Sequence, residues 1–170
     1  RIAIINPACV VTSIEDFVTP ENVAEVLGDQ YNAVIDCTDQ VSAKVAMALH
    51  CHAIRIRLFM AGAAGGRTDP TRIRWGDLGA AQGDRLLARV RQLLRKSGQM
   101  DLPEKAPFGI DAVFSQESMH RPEAQNCDTG GGAHGLNCAG YGSSVCVTGG
   151  FGFALAAAAI DHLLANRIAG

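Results

Sequence analysis

The sequence predicts an α/β fold with a mostly parallel sheet and an antiparallel extension. Short apolar runs alternate with helix-periodic segments over residues 33–60, and residues 72–75 alternate in polarity as an edge strand does. Hydrophobic residues make up 48% of the 170 residues and charged residues 19%, so the chain can bury the core of one domain. We therefore expect helices packed on a sheet whose parallel strands are joined by right-handed crossovers.

The N-terminal segment contains two helix signals and one strand signal. Residues 1–7 are predicted to be the end of a helix, which an Asn-Pro pair terminates. Residues 9–14 are rich in β-branched side chains and are predicted to form a strand. A helix is expected over residues 19–27, with Thr19 as its N-cap, proline at its first position and Gly28 after its end.

The next three elements predict the parallel part of the sheet. Residues 33–36 and 54–60 are apolar runs typical of buried strands, and residues 41–52 between them have helical periodicity. Together with the preceding strand and helix they form a β-α-β-α-β series, which implies parallel pairing. Cys37 and Cys51 fall in apolar patterns and are predicted to be small buried core residues.

The chain from residue 72 onward predicts an edge strand, two helices and one further strand. The edge strand covers residues 72–75, and the further strand covers residues 110–114. A helix over residues 84–96 begins with an aspartate as N-cap, and a closing helix rich in Gly and Ala is expected over residues 145–166. Residues 118–142 have little periodicity and are predicted to be a long irregular loop, of a length that is usually functional or mobile.

The helix over residues 84–96 has one apolar side and is basic elsewhere. Its cations are Arg85, Arg89, Arg91, Arg95 and Lys96. A solvated helix face is the default interpretation, and a patch that binds RNA phosphates is the alternative.

Charge, cysteine usage and hydropathy exclude several classes of protein. A formal net charge of −2 argues against nucleic-acid binding over the whole surface. The six cysteines form no C-x-x-C pair, which argues against a zinc ribbon and a secreted disulfide framework and favours the reducing cytoplasm. No signal peptide is visible. The apolar run over residues 145–160 is short for a bilayer span and is predicted to be a buried helix, with a subunit interface as one place for it, so we expect no membrane partner.

Glycine and cysteine motifs from residue 62 onward give weak chemical signals. A literal G-x-G-x-x-G at residues 130–135 follows no strand, so it is not interpreted as a dinucleotide fingerprint. The glycine run over residues 62–66 either lets backbone approach a ligand or a partner, or is a flexible connection. The spacings of Cys127, His134, Cys138 and Cys146 match no zinc pattern. Cys138, in a glycine-rich loop ahead of a helix, is a candidate reactive thiol, or else an ordinary loop cysteine.

Two carboxylates, Asp36 and Asp39, follow the apolar run at residues 33–35. Ligands bind at the carboxyl ends of parallel strands, where a carboxylate can hold Mg²⁺ on nucleotide phosphates. The alternative is that Asp36 or Thr38 caps the following helix and Asp39 lies in its first turn. The local sequence leaves both interpretations open.

Seen together, these and other segments resemble the ThiF/MoeB/HesA superfamily of ATP-dependent, ubiquitin-activating-like enzymes. Within it the chain is most similar to the tRNA threonylcarbamoyladenosine dehydratases. The matching segments are Ile5-Asn6-Pro7, Asp16-Phe17-Val18-Thr19-Pro20-Glu21-Asn22, Val34-Ile35-Asp36-Cys37-Thr38-Asp39 with Lys44, Gly62-Ala63-Ala64-Gly65-Gly66 with Asp69-Pro70-Thr71, Gly109-Ile110-Asp111-Ala112-Val113-Phe114-Ser115, Asn137-Cys138-Ala139 and Phe151-Gly152-Phe153. The resemblance implies a Rossmann-like activating-enzyme fold over nearly the whole chain.

The resemblance also implies roles for individual residues. Asp39 would coordinate the Mg²⁺ of Mg·ATP and act in catalysis, while Asp36, Cys37 and Thr38 would line the adenosine site. Cys138 is similar to the reactive cysteine that the superfamily often carries, acting in cyclisation or in sulfur relay. The reaction would adenylate the threonyl carboxylate of the modified adenosine in tRNA and then cyclise it with loss of AMP.

Three further expectations follow from the resemblance. The family's glycine-rich nucleotide loop and its ribose and phosphate ligands would lie upstream of Arg1, so residues 1–170 would be the C-terminal part of a single adenylating domain and inactive alone. A homodimer is expected, formed through the glycine- and alanine-rich segments. The alternatives are a MoeB- or ThiF-type enzyme that adenylates the C-terminus of a small sulfur-carrier protein, and a non-catalytic interaction module.

Overall fold

A four-stranded sheet forms the centre of the protein. The computed structural model describes residues 1–100, 102–103, 106–119 and 142–168. The strands are β1 (Ala33–Asp36), β2 (Arg57–Ala61), β3 (Ile73–Asp77) and β4 (Asp111–Ser115), in the spatial order β1-β2-β4-β3. The β1–β2 and β2–β4 pairs are parallel, whereas β3 pairs antiparallel with β4. This confirms the predicted mostly parallel sheet with an antiparallel extension.

Five helices accompany the sheet in the described part of the chain. They are α1 (Ile2–Ile5), α2 (Val23–Leu27), α3 (Val41–Ala53), α4 (Arg85–Ser97) and α5 (Val145–Ile168). Two short 3₁₀ turns, Pro70–Arg72 and Leu78–Ala80, flank β3.

The helices cover both faces of the sheet, which explains why the two central strands, β2 and β4, carry buried apolar side chains on both sides. Along β2, Leu58 and Met60 belong to one buried cluster, which α3 and α4 complete, because alternate side chains point to opposite faces. Phe59 points the other way and packs with Phe151 and Leu155 of α5. The core on the sheet therefore has two parts, one on each face, and a third buried cluster that includes Val23 and Met47 packs α2 against α3.

The helix ends follow local capping chemistry, with one correction. Asp84 caps α4 by accepting a hydrogen bond from the Leu87 amide at 3.0 Å, as predicted. The helix predicted over residues 19–27 is shorter, because α2 begins after Asn22. The Asn22 side chain accepts a hydrogen bond from the Thr19 amide at 2.7 Å, so residues 19–22 form a turn and Thr19 is not the N-cap. Gly28, with φ of +51°, ends α2 as expected.

Two strand predictions need correction. Residues 9–14 are exposed and form no strand in the described structure. Their β-branched side chains favour extended backbone, but a strand also needs a pairing partner. The strand predicted from residue 54 begins only at Arg57, because the chain leaves α3 through a tight turn in which Arg55 has φ of +58°.

The closing helix α5 has 24 residues and is longer than the apolar run that predicted it. It packs on the sheet through Val147, Phe151 and Leu155, but Phe153 and Ile160 are exposed, so the predicted burial holds for one face only. Among the described residues it is also the one helix whose length and composition would suffice to cross a membrane. Core helices of soluble proteins pass the same test, so this is weak evidence for a membrane span.

Candidate functional site

A pocket of about 500 Å³ opens at the carboxyl ends of β1 and β2. Its lining includes Cys37, Thr38 and Asp39 after β1, the glycine-rich segment 61–65 at the end of β2, and residues in the N-terminal halves of α4 and α5. Met119, Gly142 and Ser143 complete it. Its volume lies within the range of small-molecule sites. The pocket therefore lies where open parallel sheets bind ligands.

Asp36 ends β1 but is not among the residues that line this pocket. Its side chain is fully buried and accepts a hydrogen bond from the Lys44 Nζ atom at 3.0 Å. Its other oxygen accepts hydrogen bonds from the Thr38 amide at 2.9 Å and the Thr38 hydroxyl at 2.7 Å. This buried ion pair fixes the turn that presents residues 37–39, so Asp36 supports the pocket from below its surface.

Asp39, Thr38 and Cys37 line the pocket together. The Asp39 side chain is exposed. Cys37 is exposed as well, so the prediction of a buried core cysteine was wrong for Cys37, whereas Cys51 is buried as predicted. Partial removal from water, reinforced by the Asp36 carboxylate, raises the pKa of the Cys37 thiol. The thiol form is therefore favoured, and Cys37 is a lining residue rather than a preformed thiolate nucleophile.

The glycine-rich segment is held by a buried carboxylate that the sequence identified only as a helix cap. Asp84 Oδ2 accepts a hydrogen bond from the Ala63 amide at 2.8 Å and lies 3.4 Å from Arg67 Nη1. Arg67 is buried too and donates to the carbonyl oxygens of Ala63 and Gly83. Gly62 is required because a Cβ at that position would collide with the Asp84 carboxylate. The segment is thus a fixed pocket wall, which favours the ligand-approach interpretation over a flexible connection.

A second buried carboxylate fixes the chain beyond this wall. Glu117 accepts hydrogen bonds from the amides of Thr68 and Asp69, both at 2.9 Å to Oε2. No sequence signal identified Glu117 or Arg67, because their partners lie 48 and 17 positions away along the chain. Asp84 was identified from the sequence as a helix cap, but its contact with Ala63, 21 positions away, was not.

Several predicted site residues lie outside the described residues. Cys138, Cys127, His134 and the glycines of residues 130–135 all fall within residues 120–141. Among the described residues there is no group of three or more His, Cys, Asp or Glu side chains that could hold a metal ion by themselves. A single carboxylate such as Asp39 suits Mg²⁺ that is bound mainly through substrate phosphates and water. The pocket therefore fits a nucleotide-bound cation better than a protein-only metal site.

Comparisons with known proteins identify the family that this chain resembles. Residues 1–166 match the ThiF family. The chain is 39% identical over 169 residues to tRNA threonylcarbamoyladenosine dehydratase of Haemophilus influenzae, covering 98% of this chain and 64% of that protein. The enzyme of the same name from Escherichia coli is 37% identical over 172 residues, with the same coverages.

Solved structures show the same relationship. The structures of the Escherichia coli dehydratase in complex with AMP and in complex with ATP each superpose with a TM-score of 0.82 at 35% identity. The match covers 98% of this chain and 62% of that chain, so this chain spans just under two thirds of its relatives' length. The fold, the order of the motifs and the match over residues 1–166 together show that this chain belongs to the ThiF family.

Proposed function

We propose that the protein containing this chain uses ATP to activate a carboxylate, and that its substrate is threonylcarbamoyladenosine in tRNA. The observation that carries the proposal is the pocket at the carboxyl ends of β1 and β2 with Asp39 in its lining. The likeness to dehydratases whose solved structures contain ATP or AMP supports it. ATP and Mg²⁺ are the proposed co-substrate and cofactor.

The described residues supply positioning and charge for this reaction. Asp39 would hold Mg²⁺, which when bound offsets negative charge on the phosphates of ATP. The Asp36–Lys44 pair and the Thr38 hydrogen bonds keep the backbone that carries Asp39 in one conformation. Phe151 and Leu155 give the pocket an apolar wall, which would limit the access of water to a hydrolysable intermediate.

The proposed chemistry has two steps. A threonyl carboxylate oxygen attacks the α-phosphorus of ATP, the bond to the β-phosphate breaks, and pyrophosphate leaves. The mixed anhydride is a far better electrophile than the carboxylate. An internal nitrogen of the substrate then attacks the acyl carbon, a proton is released, and AMP leaves with the acyl oxygen. The sum of the two steps is a cyclising dehydration driven by ATP cleavage.

The test of Asp39 uses the protein expressed from its whole gene. We expect Asp39→Ala to lower ATP–pyrophosphate exchange and formation of the cyclised tRNA nucleoside by about 10²–10³-fold, because a ligand for the phosphate-bound cation is lost. Asp29→Ala, which removes another exposed carboxylate, is the matched control and should retain activity. Both variants should keep the circular dichroism spectrum of the unaltered protein.

Three outcomes would contradict the proposal. Unchanged function of Asp39→Ala would favour a non-catalytic interaction module. Transfer of labelled AMP to a Gly-Gly protein tail instead of tRNA would favour an activator of a sulfur-carrier protein. Cyclisation without ATP would remove the adenylation step.

Cys138 is proposed to act after adenylation, in cyclisation or in receiving sulfur from a partner. A Cys138→Ala variant should retain ATP–pyrophosphate exchange and lose the cyclised product if the thiol acts in cyclisation. Loss of sulfur transfer alone would assign it to relay. Equal activity in all three assays would show that Cys138 is an ordinary loop cysteine.

Self-association is also proposed, through small-residue helix α5. This helix exposes Phe153, Ile160 and Leu164 opposite its sheet-packed face. Sedimentation of the purified protein should show a dimer, and Phe153→Glu should convert it to a monomer. A monomeric unaltered protein would refute this part of the proposal.

A further inference from the structure

Three cations form a stripe along the exposed side of α4. This stripe, Arg85, Arg89 and Lys96, lies within about 40° around the helix axis, since residues four and eleven positions apart in an α-helix share one face. All three side chains are exposed. The buried residues Leu87 and Leu94 lie on the opposite side of the helix. The stripe therefore faces away from the core.

The other two cations of α4 already have structural partners. Arg91 donates hydrogen bonds to the carbonyl oxygens of Leu78 and Ala81, and the Arg95 guanidinium lies 4.9 Å from the centre of the Phe108 ring. The helix contains no Asp or Glu between Arg85 and Ser97, although the whole chain has a net charge of −2. Positive charge is thus concentrated on one helix of an otherwise acidic chain. Within the stripe, Arg89 donates a hydrogen bond to the exposed Gln92 side chain on the same helix at 2.5 Å, and no stripe cation packs against the core.

The stripe begins at the candidate site. Arg85 lines the 500 Å³ pocket and also a neighbouring cavity of about 270 Å³ whose other lining residues are Gly83, Ser118 and Met119. From Arg85 the stripe extends about 16 Å along the helix axis to Lys96. A polyanion whose reacting unit occupied the pocket could therefore continue directly along this surface.

We infer that the α4 stripe binds the phosphate backbone of the RNA that carries the nucleoside in the pocket. The inference rests on the proposed function and adds the surface on which the RNA lies. An acidic protein is the other polyanion that a basic helix could bind. A specific protein interface has an apolar core. Between Arg89 and Lys96, by contrast, α4 exposes Gln92 and Arg95 and no apolar side chain.

The test reverses two charges outside the pocket in the protein expressed from its whole gene. Arg85 is left intact because it lines the pocket, and the variant is Arg89→Glu/Lys96→Glu. The control, Arg55→Glu/Arg167→Glu, changes net charge equally at two exposed arginines remote in sequence from α4. Binding of a tRNA bearing threonylcarbamoyladenosine is measured by fluorescence anisotropy at several salt concentrations, and ATP binding is measured separately.

The stripe variant should bind tRNA about tenfold more weakly at moderate salt, because two phosphate contacts become repulsive. The slope of log K against log salt should become shallower by about 1.5–2. KM for tRNA should rise with little change in kcat, and ATP binding should be unaltered. The control should stay within about twofold of the unaltered protein, with the same slope.

The outcomes separate this inference from the proposed function. If the protein cyclises the nucleoside but the stripe variant binds tRNA as the control does, the inference is overturned and the function stands. If the stripe variant loses tRNA binding but the unaltered protein forms no cyclised product, the surface is supported and the proposed function fails. Loss of binding to an acidic protein with tRNA binding intact would overturn the inference in favour of a protein partner.

Discussion

Replacing Asp84 by alanine is expected to destabilise the protein by about 4 kcal/mol. The carboxylate caps α4, a contact that contributes about 1 kcal/mol. It also pairs with Arg67, and both side chains are at most 1% exposed. Leaving a buried charge without its partner costs about 3–5 kcal/mol. Because one carboxylate makes both contacts, the two costs are not additive. We therefore expect the free energy of unfolding to fall by about 4 kcal/mol, the middle of the 3–5 kcal/mol range for the broken pair.

Urea unfolding followed by far-UV circular dichroism measures this loss. With an m-value of about 2 kcal/mol per molar urea, the midpoint should fall by about 2 M. Asp29→Ala, at an exposed position, should shift the midpoint by no more than about 0.25 M. Arg67→Met/Asp84→Asn should lose less than the sum of its two single variants, since neither charge is then left alone. A midpoint for Asp84→Ala equal to that of Asp29→Ala would refute the buried-pair argument.

Three other substitutions probe the core around the site. Gly62→Ala should cost about 1–3 kcal/mol, because the added Cβ collides with the Asp84 carboxylate. Lys44→Met should lower the free energy of unfolding by about 3 kcal/mol, because Asp36 would stay buried with only the hydrogen bonds from Thr38. Adding Asp36→Asn should recover part of this loss, because the buried charge is then removed. Burial raises the pKa of the Cys51 thiol from 9.0 to about 11. As pH rises, the thiol therefore ionises first in the unfolded protein, which favours unfolding. The stability that the buried thiol contributes should be lost between about pH 9 and pH 11. Cys51→Ala should lack that pH-dependent loss.

Matched variants outside the buried core serve as controls for these three. Gly76→Ala adds a Cβ with no atom within 4 Å, Lys96→Met removes an exposed cation, and Cys146→Ala removes an exposed thiol. Equal unfolding midpoints for a core variant and its control would count against the contact concerned. For Cys51, a stability difference from Cys51→Ala that stays constant between pH 9 and 11 would contradict the assigned pKa.

Local chemistry predicted much of this fold. The α3 and α4 helices and the strands β1 and β4 were found within one or two residues, because periodicity and capping depend on side chains only a few positions apart. The antiparallel edge strand β3 was identified from its alternating polarity. The strand prediction for residues 9–14 was wrong, because a strand forms only when a segment that can be distant in sequence pairs with it.

By itself, the sequence determined the α/β class, the family resemblance and the presence of a polar segment, Asp36 to Asp39, directly after β1. Only the tertiary structure decided that Asp36 is buried against Lys44 while Cys37 faces the pocket. It also decided that Asp84 and Arg67 hold the glycine-rich wall. These contacts depend on which buried donors and acceptors the fold brings together. Leaving a polar group unpaired in the core costs free energy, and the partner that satisfies it can lie far away in the sequence.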